Sequence, residues 1–93
     1  MKKVYDTNVI IDYPEVLLED EVAITHSIIE ELENLKRKNR LNYKIRKAIR
    51  NIIKRKESLK IIDDSKIPLK ETDDMLIEVC LRNNRINLII RYN

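Results

Sequence analysis

Ninety-three residues, 43% of them apolar and 38% charged, set the scale of one small domain with a single core, near the lower end for an α/β unit. The complete lack of Gly excludes a phosphate-cradling P-loop and a dinucleotide fingerprint, and one Cys with one His is too few for a zinc site or an internal disulfide. The net charge of +3 hides a division: residues 36–60 hold 12 Lys/Arg against a single acid, Glu57, a local +11, whereas the rest holds 7 basic and 15 acidic side chains, or −8.

In chain order, Lys2 to Tyr5 can enter a strand that stops at Asp6. Val9 to Leu18 reads as a helix, or a helix pair, interrupted at Pro14, which disfavours helical geometry at Tyr13 but suits a first helical turn. Glu19-Asp20 is a polar break, and residues 21–24 (EVAI) form a short second strand. Ser27 and Glu30 then stand at the spacing of a capping box, with Thr25 or His26 as alternative boundaries. Ile28, Leu32 and Leu35 keep one apolar stripe. Lys36 to Lys38 load the last turn with charge that suits the helix dipole, and Asn39 is the stop.

A further helix is expected from Leu41 to about Lys56, with Leu41, Ile45, Ala48 or Ile49, and Ile52 inward and basic residues over much of the rest. Residues 59–62 (LKII) are the third strand, ending at Asp63-Asp64, and 65–72 is a loop containing Pro68. Asp73 opens a helix to about Asn83 whose apolar face is Leu76, Ile77, Cys80 and Leu81, and residues 86–90 are a fourth strand. The alternation predicts a parallel sheet with right-handed crossovers and helices on both faces. With Trp and Phe absent, its core must be built of Ile, Leu and Val. No signal peptide and no membrane-length apolar run are seen, so a cytoplasmic, reducing compartment is the default and no membrane partner is expected.

The acids fall in a pattern. Asp6 follows the first strand, Glu30 and Glu31 lie early in the helix after the second, and Asp73 and Asp74 begin the helix after the third. In a doubly wound sheet all three places open on the same edge, at the carboxyl ends of the strands. Each acid alone is explained by helix-start electrostatics. Three together would repel unless a cation neutralised them, and oxygen donors without Cys or His select a hard ion, Mg²⁺ or Mn²⁺. Such an ion suits hydrolysis of a phosphodiester. Thr7 and Asn8 either support Asp6 and metal-bound water by hydrogen bonds or do ordinary turn chemistry. His26 reads as a cap or packing residue, and Cys80 as a small core hydrophobe.

Three stretches, VYDTNVIID at 4–12, VAITHSIIEELENLK at 22–36 and TDDMLIEVCL at 72–81, resemble the PIN-domain ribonucleases, a family that includes toxins of toxin–antitoxin pairs and RNA-decay endonucleases. The resemblance implies a PIN-like (Rossmann-like) α/β three-layer sandwich with a central parallel four-stranded sheet. It implies Mg²⁺- or Mn²⁺-dependent endonucleolytic cleavage of single-stranded RNA. Asp6, Glu31 and Asp73 match the family's acids, with Asp74 as a rival to Asp73 for the metal. The fourth anchor departs from the pattern: in NLIIRYN, Asn93 stands where a fourth Asp is usual, and the family's last helix and strand are missing. An amide can ligate through oxygen but brings no charge and cannot act as a base. The alternative to a nuclease is therefore a degenerate module that binds RNA or a protein without cutting.

The basic stretch, above all Lys36, Arg37, Lys38, Arg40, Lys44, Lys47, Arg50 and Lys54, would hold the RNA backbone. Tyr43 is the one aromatic residue within it, which favours phosphate contacts over base readout. Pairing with a second copy, or with a protein such as an antitoxin, is the other expected association.

Overall fold

Nine elements follow one another in the computed structural model, which describes residues 2–65, 72–82 and 86–89. They are β1 (Lys2–Tyr5), α1 (Thr7–Asp12), a short 3₁₀ helix (Pro14–Leu18), β2 (Val22–Thr25), α2 (His26–Lys38), α3 (Tyr43–Lys54), β3 (Lys60–Ile62), α4 (Thr72–Arg82) and β4 (Ile86–Ile89). The strands pair in parallel in the order β3-β2-β1-β4. The chain steps outward from β1 to β2 and β3, then returns to lay β4 on the other flank of β1. Open parallel sheets bind ligands outside the carboxyl ends of their strands, where the order reverses in this way. Here that place is the end of β1.

Burial explains the order. All four residues of β2 are buried, as befits a strand covered on both faces and flanked on both sides. In the edge strand β3, by contrast, Lys60 and Ile61 are exposed. The core is aliphatic: Val4, Ile10, Val16, Leu17, Ile24, Ile28, Leu32 and Leu76 are at most 1% exposed. Each such side chain contributes about 1.5–3 kcal/mol by leaving water. Tyr5 joins them, and its hydroxyl donates to Glu19, whose carboxylate also takes the Lys3 ammonium at 3.1 Å. Burial, with that hydrogen bond behind it, lifts the Tyr5 pKa above its ordinary value, while the bond to Glu19 lifts that of Lys3.

The turn into β2 carries Glu21 at φ 56°, a left-handed conformation that costs a side-chain-bearing residue about 1–2 kcal/mol. Its carbonyl accepts the backbone N–H of Lys3 at 2.8 Å, next to the Lys3–Val22 and Val4–Ala23 pairings. On the far side of the 3₁₀ helix, the buried Asn51 amide donates to the Pro14 carbonyl at 2.9 Å, and the Arg55 guanidinium donates to that of Leu18 at 2.7 Å. Asn51 of α3 and Arg55 at its C-terminal cap thus tie that helix to both ends of the 3₁₀ helix.

Several boundaries differ from those the sequence suggests. The helix after β1 begins at Thr7 instead of Val9, because Asp6 caps it through the Thr7 N–H, and the piece after Pro14 is 3₁₀. The cap of α2 is Thr25, one of the two alternative boundaries, whose hydroxyl accepts from the Ile28 N–H, so Ser27 lies inside the helix and the Ser27/Glu30 capping box does not form. Asn42 caps α3 by accepting from the N–H groups of Lys44 and Ile45. The helix therefore starts after Leu41, which is left 96% exposed instead of in the core. In α4 the buried residues are Met75, Leu76 and Val79, while Ile77 and Leu81 face outward. That helix is apolar on more than one side, so spacing alone could not choose between its stripes. The expected loop at 65–72 falls mostly outside the described residues, as do Asn83 and Ile90.

Candidate active site at the carboxyl edge of the sheet

Asp6 ends β1 in extended conformation (φ −62°, ψ 153°) and its Oδ1 accepts the Thr7 N–H at 2.8 Å. The same threonine, only 4% exposed, turns its hydroxyl the other way and donates to Glu31 Oε2 at 3.3 Å. One residue thus holds two carboxylates that are 25 positions apart in sequence. Asp6 and Glu31 are both half-buried, so each keeps access to solvent or ligand. Glu31 is delivered by α2, whose Ile28 and Leu32 are fully buried and fix the rotation of the helix. Asn8, by contrast, is exposed on α1.

A second set of bonds fixes the start of α2. The Ser27 N–H donates to Asp64 Oδ1 at 3.2 Å, and the Ser27 hydroxyl donates to Met75 Sδ at 3.4 Å. Ser27 therefore ties the segment after β3 and the first half of α4 to the helix that carries Glu31. Asp64 is 1% exposed, and among the described residues its Oδ2 meets no hydrogen-bond partner. A buried carboxylate is tolerable at this point because it faces the electropositive start of α2. Sequence reading passed over Asp64: its partner lies 37 residues away, and no local spacing announces the pairing.

His26 is neither cap nor packing residue. It is exposed in the first turn of α2, with Nδ1 3.3 Å from Glu30 Oε1. Cys80 is half-buried against the core, and burial raises its thiol pKa, which favours the protonated form. Asp73 and Asp74 lie in the first turn of α4, but their side chains, like Asn93 as a whole, lie outside the described residues. Among the described residues no group of three or more His, Cys, Asp or Glu side chains is placed to hold a metal ion. Asp6 and Glu31 nevertheless fit one in chemistry, being carboxylate oxygen donors joined through Thr7, the donor type that a hard divalent ion selects.

The cations of residues 36–60 do not share one face. Lys36, Arg37, Lys38 and Arg40 are exposed at and beyond the end of α2. On α3, Lys44, Lys47, Arg50 and Lys54 recur every three or four residues along one side, with Lys47 Nζ 5.8 Å from the centre of the Tyr43 ring. Arg46 lies on the other flank, in line with Ile49 and Ile53 and facing α2.

A parallel α/β sheet whose order reverses beside two hydrogen-bonded carboxylates is the architecture of a PIN-like domain. The sequence model described as the PIN domain matches residues 3–88, and the chain belongs to that family. A search of curated proteins finds no match. Membership brings a nuclease-like function in general terms, and PIN domains generally use divalent metal ions. Among the described residues no helix is long and apolar enough to cross a membrane.

Proposed function

We propose that this protein is a metal-dependent endoribonuclease that hydrolyses phosphodiester bonds of single-stranded RNA at the carboxyl end of β1. The observation that carries the reading is the pair of hydrogen bonds through which Thr7 holds Asp6 and Glu31 together, at the place where such a sheet binds ligands. Asp6, Glu31 and Asp73, with Asp74 beside it, are the residues that would hold Mg²⁺ or Mn²⁺. When bound, the ion supplies the positive charge that polarises a phosphodiester and makes water a nucleophile near neutral pH.

The protein's own contribution is positional. Asp6 is fixed by the Thr7 amide, Glu31 by the Thr7 hydroxyl, and α2 by the bonds at Ser27. Carboxylates held in this way need little rearrangement on loading, which favours both affinity and rate. The strip of Lys44, Lys47, Arg50 and Lys54 on α3 gives a phosphate backbone a cationic track without base readout.

The test is cleavage of a labelled oligoribonucleotide in Mn²⁺, with wild type beside Asp6→Asn. Loss of cutting in the variant is expected; equal rates remove the mechanism. Asn93, standing where a fourth carboxylate is usual, favours a second reading, in which the domain binds RNA or protein and cuts nothing. Calorimetric titration with Mn²⁺ separates the two. RNA binding without a carboxylate-dependent Mn²⁺ site selects the second.

A further inference from the structure

Between α2 and α3 lies an open groove of about 600 Å³, lined by Glu33, Lys36, Arg37 and Arg40 on one side and Arg46, Ile49 and Ile53 on the other. We propose that this groove docks an acidic, amphipathic segment of a protein partner, a helix whose apolar side chains enter between Ile49 and Ile53 while its carboxylates meet the four cations. The inference does not depend on the nuclease reading.

Three features favour this occupant. The first is the floor. Ile53 is 66% exposed, and Ile49 is only partly covered. An apolar floor under a cationic rim matches a ligand carrying both apolar and anionic groups at helical spacing, the pattern of helix-in-groove recognition. The volume lies within the range that encloses a few side chains.

The second is the poor match to a nucleic acid. No aromatic ring lines the groove to stack a base, whereas Ile49 and Ile53 offer apolar contact that a phosphate backbone does not use. Tyr43, the aromatic residue of this region, is engaged instead by Lys47 on the other side of α3.

The third is location. After a parallel strand, the crossover helix runs back toward the amino edge of the sheet. Glu31 therefore lies near the carboxyl edge and the far end of α2 points away from it. At 1.5 Å of rise per residue, Arg37 is about 9 Å farther along the axis than Glu31. The cationic rim at Lys36, Arg37 and Arg40 is thus displaced along the chain from the carboxylate site.

The experiment uses the full chain, labelled with ¹⁵N. The probe is a fluorescein-labelled fifteen-residue peptide of Glu, Leu and Ala with its leucines on one helical face. The controls are a scrambled peptide of equal composition and a fifteen-nucleotide oligouridylate. The expected result is saturable binding, amide shifts confined to residues 33–40 and 46–53, and at least tenfold weaker binding to Ile53→Asp and Arg46→Glu. Lys47→Gln should bind as wild type. Both test positions are solvent-facing, and far-UV circular dichroism checks that the variants are folded. Equal affinity for the scrambled peptide overturns the proposal, leaving a plain cationic surface. So does an oligouridylate that shifts the same amides and displaces the peptide, as does the absence of saturable peptide binding.

Discussion

Thr7 offers the sharpest test of the candidate site, because its hydroxyl and its methyl have separable consequences. Thr7→Val keeps shape and backbone, so the amide bond to Asp6 survives, and removes only the donor to Glu31. A hydrogen bond to a charged group is worth about 1.5–3 kcal/mol net, but this one, at 3.3 Å, is longer than the usual O–H···O range and ends on a half-exposed carboxylate. About 1 kcal/mol is the better figure here. The new buried methyl returns about 0.8 kcal/mol of transfer free energy, so folding stability should change by less than about 0.5 kcal/mol. The effect on the site is different, since nothing replaces the restraint on Glu31. About 1 kcal/mol of lost preorganisation weakens Mn²⁺ binding roughly fivefold.

Thr7→Ser makes the opposite exchange. It keeps the donor and removes a buried methyl, costing about 1 kcal/mol of stability with Mn²⁺ affinity near wild type. Urea unfolding followed by circular dichroism and Mn²⁺ titration calorimetry measure the two quantities independently. If valine binds Mn²⁺ as tightly as wild type while serine binds it weakly, the hydroxyl does not position Glu31 and the reasoning fails.

Asp64 separates acceptor from charge: Asp64→Asn keeps an oxygen for the Ser27 N–H and discards a buried charge, so it should change stability by less than about 1 kcal/mol, whereas Asp64→Ala leaves that N–H unpaired at a cost of about 1–3 kcal/mol. Urea midpoints decide, and an Asn variant as unstable as Ala would show that the charge itself is needed. The folded-state pKa values of Tyr5 and Lys3 are both raised, so the folded state holds protons that the unfolded state releases. Their contribution is complete below their ordinary values of 10.0 and 10.5 and is lost as pH rises through the higher folded values. Stability should therefore fall above about pH 10 in wild type and less steeply in Tyr5→Phe; parallel urea midpoints across that range would contradict the assignment. For RNA, each cation removed by Lys47→Gln or Arg50→Gln should flatten the slope of log K against log salt by about 0.7, and an unchanged slope would place the strand elsewhere.

The sequence disclosed the strands well because Val, Ile and Leu cluster where burial requires them and Asp6 interrupts them, whereas the first helix begins at Thr7, two residues before the apolar run that suggested it. It disclosed the joint placement of Asp6 and Glu31 through topology, since both follow parallel strands. Faces and long-range polar bonds were less legible. Leu41 has the right spacing for the core, yet Asn42 caps α3 one residue later and excludes it. Ile77 and Leu81 compete with Met75 and Val79 for the inner side of α4, and only the neighbouring elements decide. Asn51, among polar and basic residues, looks like surface, but the Pro14 carbonyl draws it inside. The basic stretch looks like one surface in sequence, and helical geometry parts it into an outer track and a groove wall.

The left-handed turn at Glu21 bears on the chemistry from a distance. By aiming its carbonyl at the Lys3 N–H, it sets which residue of β1 stands opposite which residue of β2. A slip of that alignment by a single position would invert every side chain of β1, sending Val4 to the opposite face of the sheet from the one it now fills. Asp6 would then leave the rim, and Thr7 could no longer reach both acids. A strained dihedral at the amino edge of the molecule thus acts as an alignment pin for a carboxylate at the carboxyl edge.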